Sequence, residues 1–165
     1  MKPKLSRTIR QLHDVLTDLA DEYRHVGERQ EAEHDIHHMT RVLAQQCDAQ
    51  AKALTPYSER YGADLPDESG DGLWHGLLAG VRHTSATPMG RLPATGMLLL
   101  SDLRQLHLAC EEAAMFWLIV GQAAQATRDH ELLETVERSR EEVVSQLMWL
   151  TTRIKETAPQ ALVAG

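Results

Sequence analysis

The run Glu33-His-Asp-Ile-His-His38 concentrates side chains that ligate metals. On a helix, Glu33 and His37 stand one turn apart at i,i+4 and His34 and His37 at i,i+3, so either pair can hold a cation from one face. A neutral imidazole offers a lone pair near physiological pH, which is why histidine recurs in such sites. The plainer reading of the same residues is a polar first turn and a half of helix, in which Glu33 and Asp35 complement the positive end of the helix dipole.

Further candidates stand downstream and upstream of that run. His107 and Glu111 are spaced i,i+4 with Glu112 adjacent, Glu137 and Glu141 flank Arg140, and Glu22 lies one position off the apolar stripe of the first helical segment. A di-iron bundle takes inward carboxylates from two helices and Glu-x-x-His units from the other two. Glu22, Glu33, His37, His107, Glu111 and Glu141 are the residues that would supply such a centre, with iron or another transition metal as the cofactor. The census falls short of the pattern. Glu111-x-x-Ala114 is not the required unit, the first stripe is apolar apart from Tyr23, and the guanidinium of Arg140 would oppose a dication. No cofactor is expected under the leading reading, and the metal centre is its alternative.

Other chemistry has less support. There is no glycine-rich phosphate loop, nucleotide fingerprint or Ser-His-Asp order. Cys47 and Cys110 are far apart in the chain without CxxC spacing, and read as reduced core residues with no basic neighbour to lower a thiol pKa. Arg140 interrupts an apolar stripe, so it either pairs with Glu33, Glu111 or Glu137 in the interior or snorkels at the stripe's edge. Trp74, Trp117 and Trp149 read as core and crossover packing.

The elements that would position these residues are helices. Leu5, Ile9, Leu12, Leu16, Leu19, Tyr23 and Val26 follow a 4-3 spacing, predicting a first helix over 3–26 that stops at Gly27. A second helix is predicted over 30–54, with Glu33, Ile36, Thr40, Leu43, Cys47, Ala51 and Leu54 inward and Thr55-Pro56 as its end. Residues 56–94 carry repeated proline and glycine and read as a long crossover with one short helix around Leu73–Val81. A third helix is predicted over 95–126 on Leu99, Leu103, Leu106, Cys110, Ala113, Trp117, Val120 and Ala124. The fourth, over 129–157, is capped by Asp129, striped by Leu133, Val136, Arg140, Val143, Leu147, Leu150 and Ile154, and closed by Pro159. Met115, Leu118 and Ile119 fall off the third stripe, so either the crossover or another subunit must cover them.

Length and charge bound the rest. The 165 residues suit one domain with a sizeable core. A formal charge of -7 repels phosphate backbones and anionic lipid, so neither nucleic acid nor a membrane is an expected partner. The opening Lys2, Lys4, Arg7 and Arg10 are followed by no apolar run of signal-peptide type, and a cytoplasmic location is expected.

Two helical hairpins joined by a long crossover give an all-α four-helix bundle, arranged up-down-down-up as in ferritin-like folds. The segments His34-Asp-Ile-His-His-Met39, Leu43-Ala-Gln-Gln-Cys47, Glu59-Arg-Tyr-Gly62, Trp149-Leu150, Arg153-Ile-Lys155 and Pro159-Gln160 resemble an uncharacterised bacterial family related to ferritin-like bundles. The resemblance implies that fold and no activity. The expectation is a non-catalytic bundle acting through self-association, as a dimer or larger homo-oligomer, or by binding a protein partner.

Overall fold

The computed structural model describes residues 3–65 and 95–164. They form α1 (Pro3–Arg29), α2 (His34–Ala53), α3 (Thr55–Tyr61), α4 (Thr95–Thr127) and α5 (His130–Leu162), with no strand among the described residues. The short helix expected around Leu73–Val81, with Trp74, lies outside them. No helix of the described residues is long and apolar enough to cross a membrane.

The four long helices bury one continuous apolar cluster. The whole α1 stripe from Leu5 to Val26 is buried, as are Leu103, Leu106, Cys110, Ala113, Trp117, Val120 and Ala124 of α4. Each fully buried leucine there contributes ~1.5–3 kcal/mol through removal of its side chain from water. α1 packs on α2 and α4, while α5 packs on α4 and, less extensively, on α2.

Several local expectations are corrected. Gly27 does not stop α1, which continues to Arg29. Gly27 is buried where α2 crosses, and a Cβ there would lie 2.5 Å from Thr40 Oγ1, so its lack of a side chain serves close helix packing rather than termination. α2 consequently starts later, at His34, with Glu33 as its N-cap residue and exposed rather than on the stripe. The stripe proper runs through Ile36, Thr40, Leu43, Cys47 and Ala51.

Thr55-Pro56 ends α2 but opens α3, where Pro56 sits in a first turn that needs no N–H from it. Gly62 closes α3 with φ 69°, a left-handed cap that glycine adopts without strain. Pro159 does not close α5, which runs on to Leu162 with Pro159 inside its last turns.

The α5 stripe is also displaced. Leu132, Thr135, Val136, Ser139, Val143, Gln146 and Leu150 are buried, and Arg140 is exposed beside Ser139. A guanidinium in water carries none of the desolvation cost that a buried position would impose, so the edge reading of Arg140 is the one that applies.

Candidate functional site

The side chains nominated from the sequence occupy separate places. Glu33, Glu111 and Glu141 are exposed. The Glu22 side chain is largely covered and lies 3.7 Å from Arg29 Nη2. His37 places Nδ1 2.8 Å from the carbonyl of Gly27, across the α1–α2 hairpin. His107 places Nε2 3.2 Å from Thr151 Oγ1, between α4 and α5. Among the described residues no three histidine, cysteine, aspartate or glutamate side chains come together as a potential metal-binding group.

The Glu33–His34–Asp35 corner instead borders a cleft of about 700 Å³ that also takes Arg153, Glu156 and Gln160 from α5. Arg153 lies 3.7 Å from Asp35 and 3.1 Å from Glu156, so charges of both signs already meet there. At this end of the bundle Asp102 is buried, accepting from Arg29 Nη2 at 2.8 Å and from Gln30 Nε2 at 3.1 Å. The hydrogen bond to Asp102 is the main reason that the Arg29 guanidinium pKa is raised.

The interior holds a polar centre to which every long helix contributes. Gln146 of α5 presents Oε1 to the phenol of Tyr23 from α1 at 3.1 Å, to the Cys47 thiol of α2 at 3.8 Å and to the Cys110 thiol of α4 at 3.7 Å. Its Nε2 donates to Gln46 Oε1 at 3.1 Å. One turn along α2, Gln50 accepts from Trp117 Nε1 at 3.0 Å and donates to Glu142 at 2.8 Å. Burial is the largest influence on all three titratable groups: it raises the Tyr23 phenol well above its ordinary value and pushes both thiols up to about 12. The cysteines are therefore neutral thiols at neutral pH, as their sequence surroundings suggested.

Gln146 and Asp102 were not singled out by sequence reasoning, and Gln50 only as a neighbour of Ala51 on the second stripe. Their signal was available only as position: each takes a place on a buried stripe where an apolar residue would satisfy the pattern, and a buried amide or carboxylate at such a place needs partners.

A different kind of site lies outside. Leu108, Met115 and Ile119 are 55%, 57% and 47% exposed on the outward face of α4, with Met97 and Leu118 also exposed. α5 adds Val144 and Met148. Ile119, Ala123, Ala126 and Thr127 continue into a shallow groove of about 500 Å³ whose other wall is Lys4, Leu5 and Thr8. The spacings 108, 115 and 119 fall on one helical face, so this is a stripe rather than scattered residues.

No family model, curated protein or solved structure matches the chain.

Proposed function

We propose that the protein is a ferritin-like, up-down-down-up bundle that acts through self-association, with the outward face of α4 as its interface with a second copy. The topology is supported by pairs at opposite ends of the helices. Arg29 meets Asp102 while Lys4, Leu5 and Thr8 line a groove with Ile119 to Thr127, which makes α1 and α4 antiparallel. Asp35 meets Arg153 while Tyr57 Oη and Thr135 Oγ1 are 2.8 Å apart, which makes the run of α2 and α3 antiparallel to α5.

The observation that carries the functional reading is the exposed stripe Met97, Leu108, Met115 and Ile119. Exposed apolar side chains gathered on one helical face, here with Arg104 and Glu112 interspersed, suit a site of association. A second copy fits it better than an unrelated partner because the stripe is self-complementary. An antiparallel copy of α4 aligned about Leu108 sets Met97 against Ile119 of the second copy, Ser101 against Met115 and exposed Arg104 against exposed Glu112. Such a pairing is isologous and closes as a twofold dimer.

Light scattering coupled to size exclusion tests the reading. The wild type is expected to run as a dimer and Leu108→Glu, which sets like charges face to face, as a monomer. Arg104→Glu should weaken the dimer and adding Glu112→Arg should restore it. A wild type that stays monomeric at every soluble concentration ends the proposal.

A further inference from the structure

The association reading leaves the basic opening of the sequence without a role. α1 carries Lys4, Arg7 and Arg10 and no carboxylate before Asp14, so a chain of net charge -7 begins with a locally positive end. That end forms one wall of the groove of about 500 Å³, in which Lys4, Leu5 and Thr8 face Ile119, Ala123 and Thr127. Arg128, directly after Thr127, is exposed, and the next carboxylate, Asp129, is already taken up by Arg60 and Tyr61.

The groove is apolar for a reason visible in its hydroxyls. Thr8 Oγ1 donates to the Lys4 carbonyl at 2.9 Å and Thr127 Oγ1 to the Ala123 carbonyl at 2.9 Å, so both are satisfied within their own helices. The small side chains of Ala123 and Ala126 keep the trough open, and the Lys4 ammonium is the one charged group among the described residues that line it. An occupant meets apolar surface along the trough and a cation at its end. A peptide backbone laid there would lose its hydrogen bonds to water and find no replacements.

We propose that this groove binds a free single-chain carboxylate of the fatty-acid class, with its acyl chain lying between α1 and α4 and its head group at Lys4. An acyl chain needs no hydrogen bonds, and its removal from water drives binding. The positive end of α1 and the negative end of α4 lie side by side and largely cancel, which leaves the side-chain charges to choose the head group. Lys4 can pair with the carboxylate while its own stem lies along the apolar wall. Residues 119–127 cover about 12 Å of helix at ~1.5 Å per residue. An extended chain advances ~1.2 Å per bond, as an extended backbone does, so about ten carbons fill the groove. The site is complete in one chain and does not depend on dimerisation.

The test is methyl NMR of the full chain titrated with sodium decanoate below its micellar concentration. Leu108→Glu is titrated in parallel, so that dimerisation and ligand binding are read separately. Shifts should centre on Leu5, Ile119 and Ala123 in both proteins and saturate at one decanoate per chain. From hexanoate to decanoate each added methylene should tighten binding about two- to fourfold, with little gain from longer chains, a reading that needs no variant of the groove. Ala126→Phe, which fills the trough from an exposed position, should weaken binding at least about tenfold. Lys4→Glu should weaken decanoate about fivefold and favour decyltrimethylammonium, which the wild type should bind less well than decanoate. The proposal is overturned by the absence of a saturable shift, by equal binding of decyltrimethylammonium to the wild type, or by undiminished binding in Ala126→Phe. Shifts on the Leu108 and Met115 stripe alone, or a response to anionic lipid vesicles and none to free decanoate, overturn it as well.

Discussion

The phenol of Tyr23 donates to Gln146 Oε1 at 3.1 Å across the centre of the bundle, joining α1 to α5, two helices that share few other contacts. Removing the amide strands more than one partner, because the two thiols and Gln46 use it too. Gln146→Leu is expected to cost about 2–3 kcal/mol, and Tyr23→Phe, which leaves Gln146 its other partners, about 1. The double variant should cost less than the sum by at least about 0.5 kcal/mol. Urea unfolding of the four proteins measures this, and strict additivity would show that the bond carries no coupling.

The cysteines should be chemically silent in the folded protein. With both thiols pushed up to about 12 by burial, only about one in ten thousand is a thiolate at pH 8, and both side chains are essentially fully buried. Ellman's reagent is expected to find no reactive thiol at pH 8 over minutes and two after denaturation. A rapid native reaction of either cysteine would mean that the centre is open.

How much of this was legible follows from what each stripe is made of. α1 and α4 were readable almost to the residue because leucine, isoleucine and alanine mark their buried positions. α5 was not. Thr135, Ser139 and Gln146 are polar, so an apolar periodicity passes over them and selects Leu133, Arg140 and Leu147, each one residue beyond buried Leu132, Ser139 and Gln146. The Asp102 site was hidden for a related reason: its partners Arg29 and Gln30 reach it only because α1 runs past Gly27. The histidine run was visible as chemistry, yet its fate depended on the start of α2, which places Glu33 at the exposed N-cap.

Asp129 should set the acid limb of stability. Its carboxylate caps α5 through Leu132 N–H at 3.1 Å, accepts from Tyr61 Oη at 2.6 Å, and receives both bonds of Arg60 Nη1, at 2.9 Å each. Burial pushes its pKa up, but the bonds from Tyr61, Leu132 and Arg60 outweigh that and hold it below the ordinary value. A folded-state pKa below the unfolded value, about 3.9, means stability that is present above that value and is lost as pH falls through the folded one. Asp129→Ala is expected to lose about 1–2 kcal/mol at pH 7, as for a lost cap, and to flatten the fall in stability below about pH 4. Melting temperatures from pH 2 to 7 check both, and a parallel fall in wild type and variant would remove Asp129 from the account.

Gly27→Ala should destabilise although Gly27 lies inside a helix, where alanine is ordinarily the better former by about 1 kcal/mol. The added Cβ would lie 2.5 Å from Thr40 Oγ1, and that hydroxyl has nowhere cheap to go, because Thr40 is buried and bonds the Ile36 carbonyl at 2.8 Å. Either α2 moves away from α1 or Thr40 gives up its rotamer, and overpacking of this kind costs about 1–3 kcal/mol. His37 would be disturbed with it, since its ring is held by the Gly27 carbonyl. Deleting the obstruction should reverse the sign: with Thr40→Ala also present, the Oγ1 clash disappears and the helix propensity of alanine remains. The double variant is thus expected to be more stable than Thr40→Ala alone. Thermal melts of the three variants decide it, and a Gly27→Ala protein at least as stable as wild type would show that Thr40 gives way to the added Cβ at no cost.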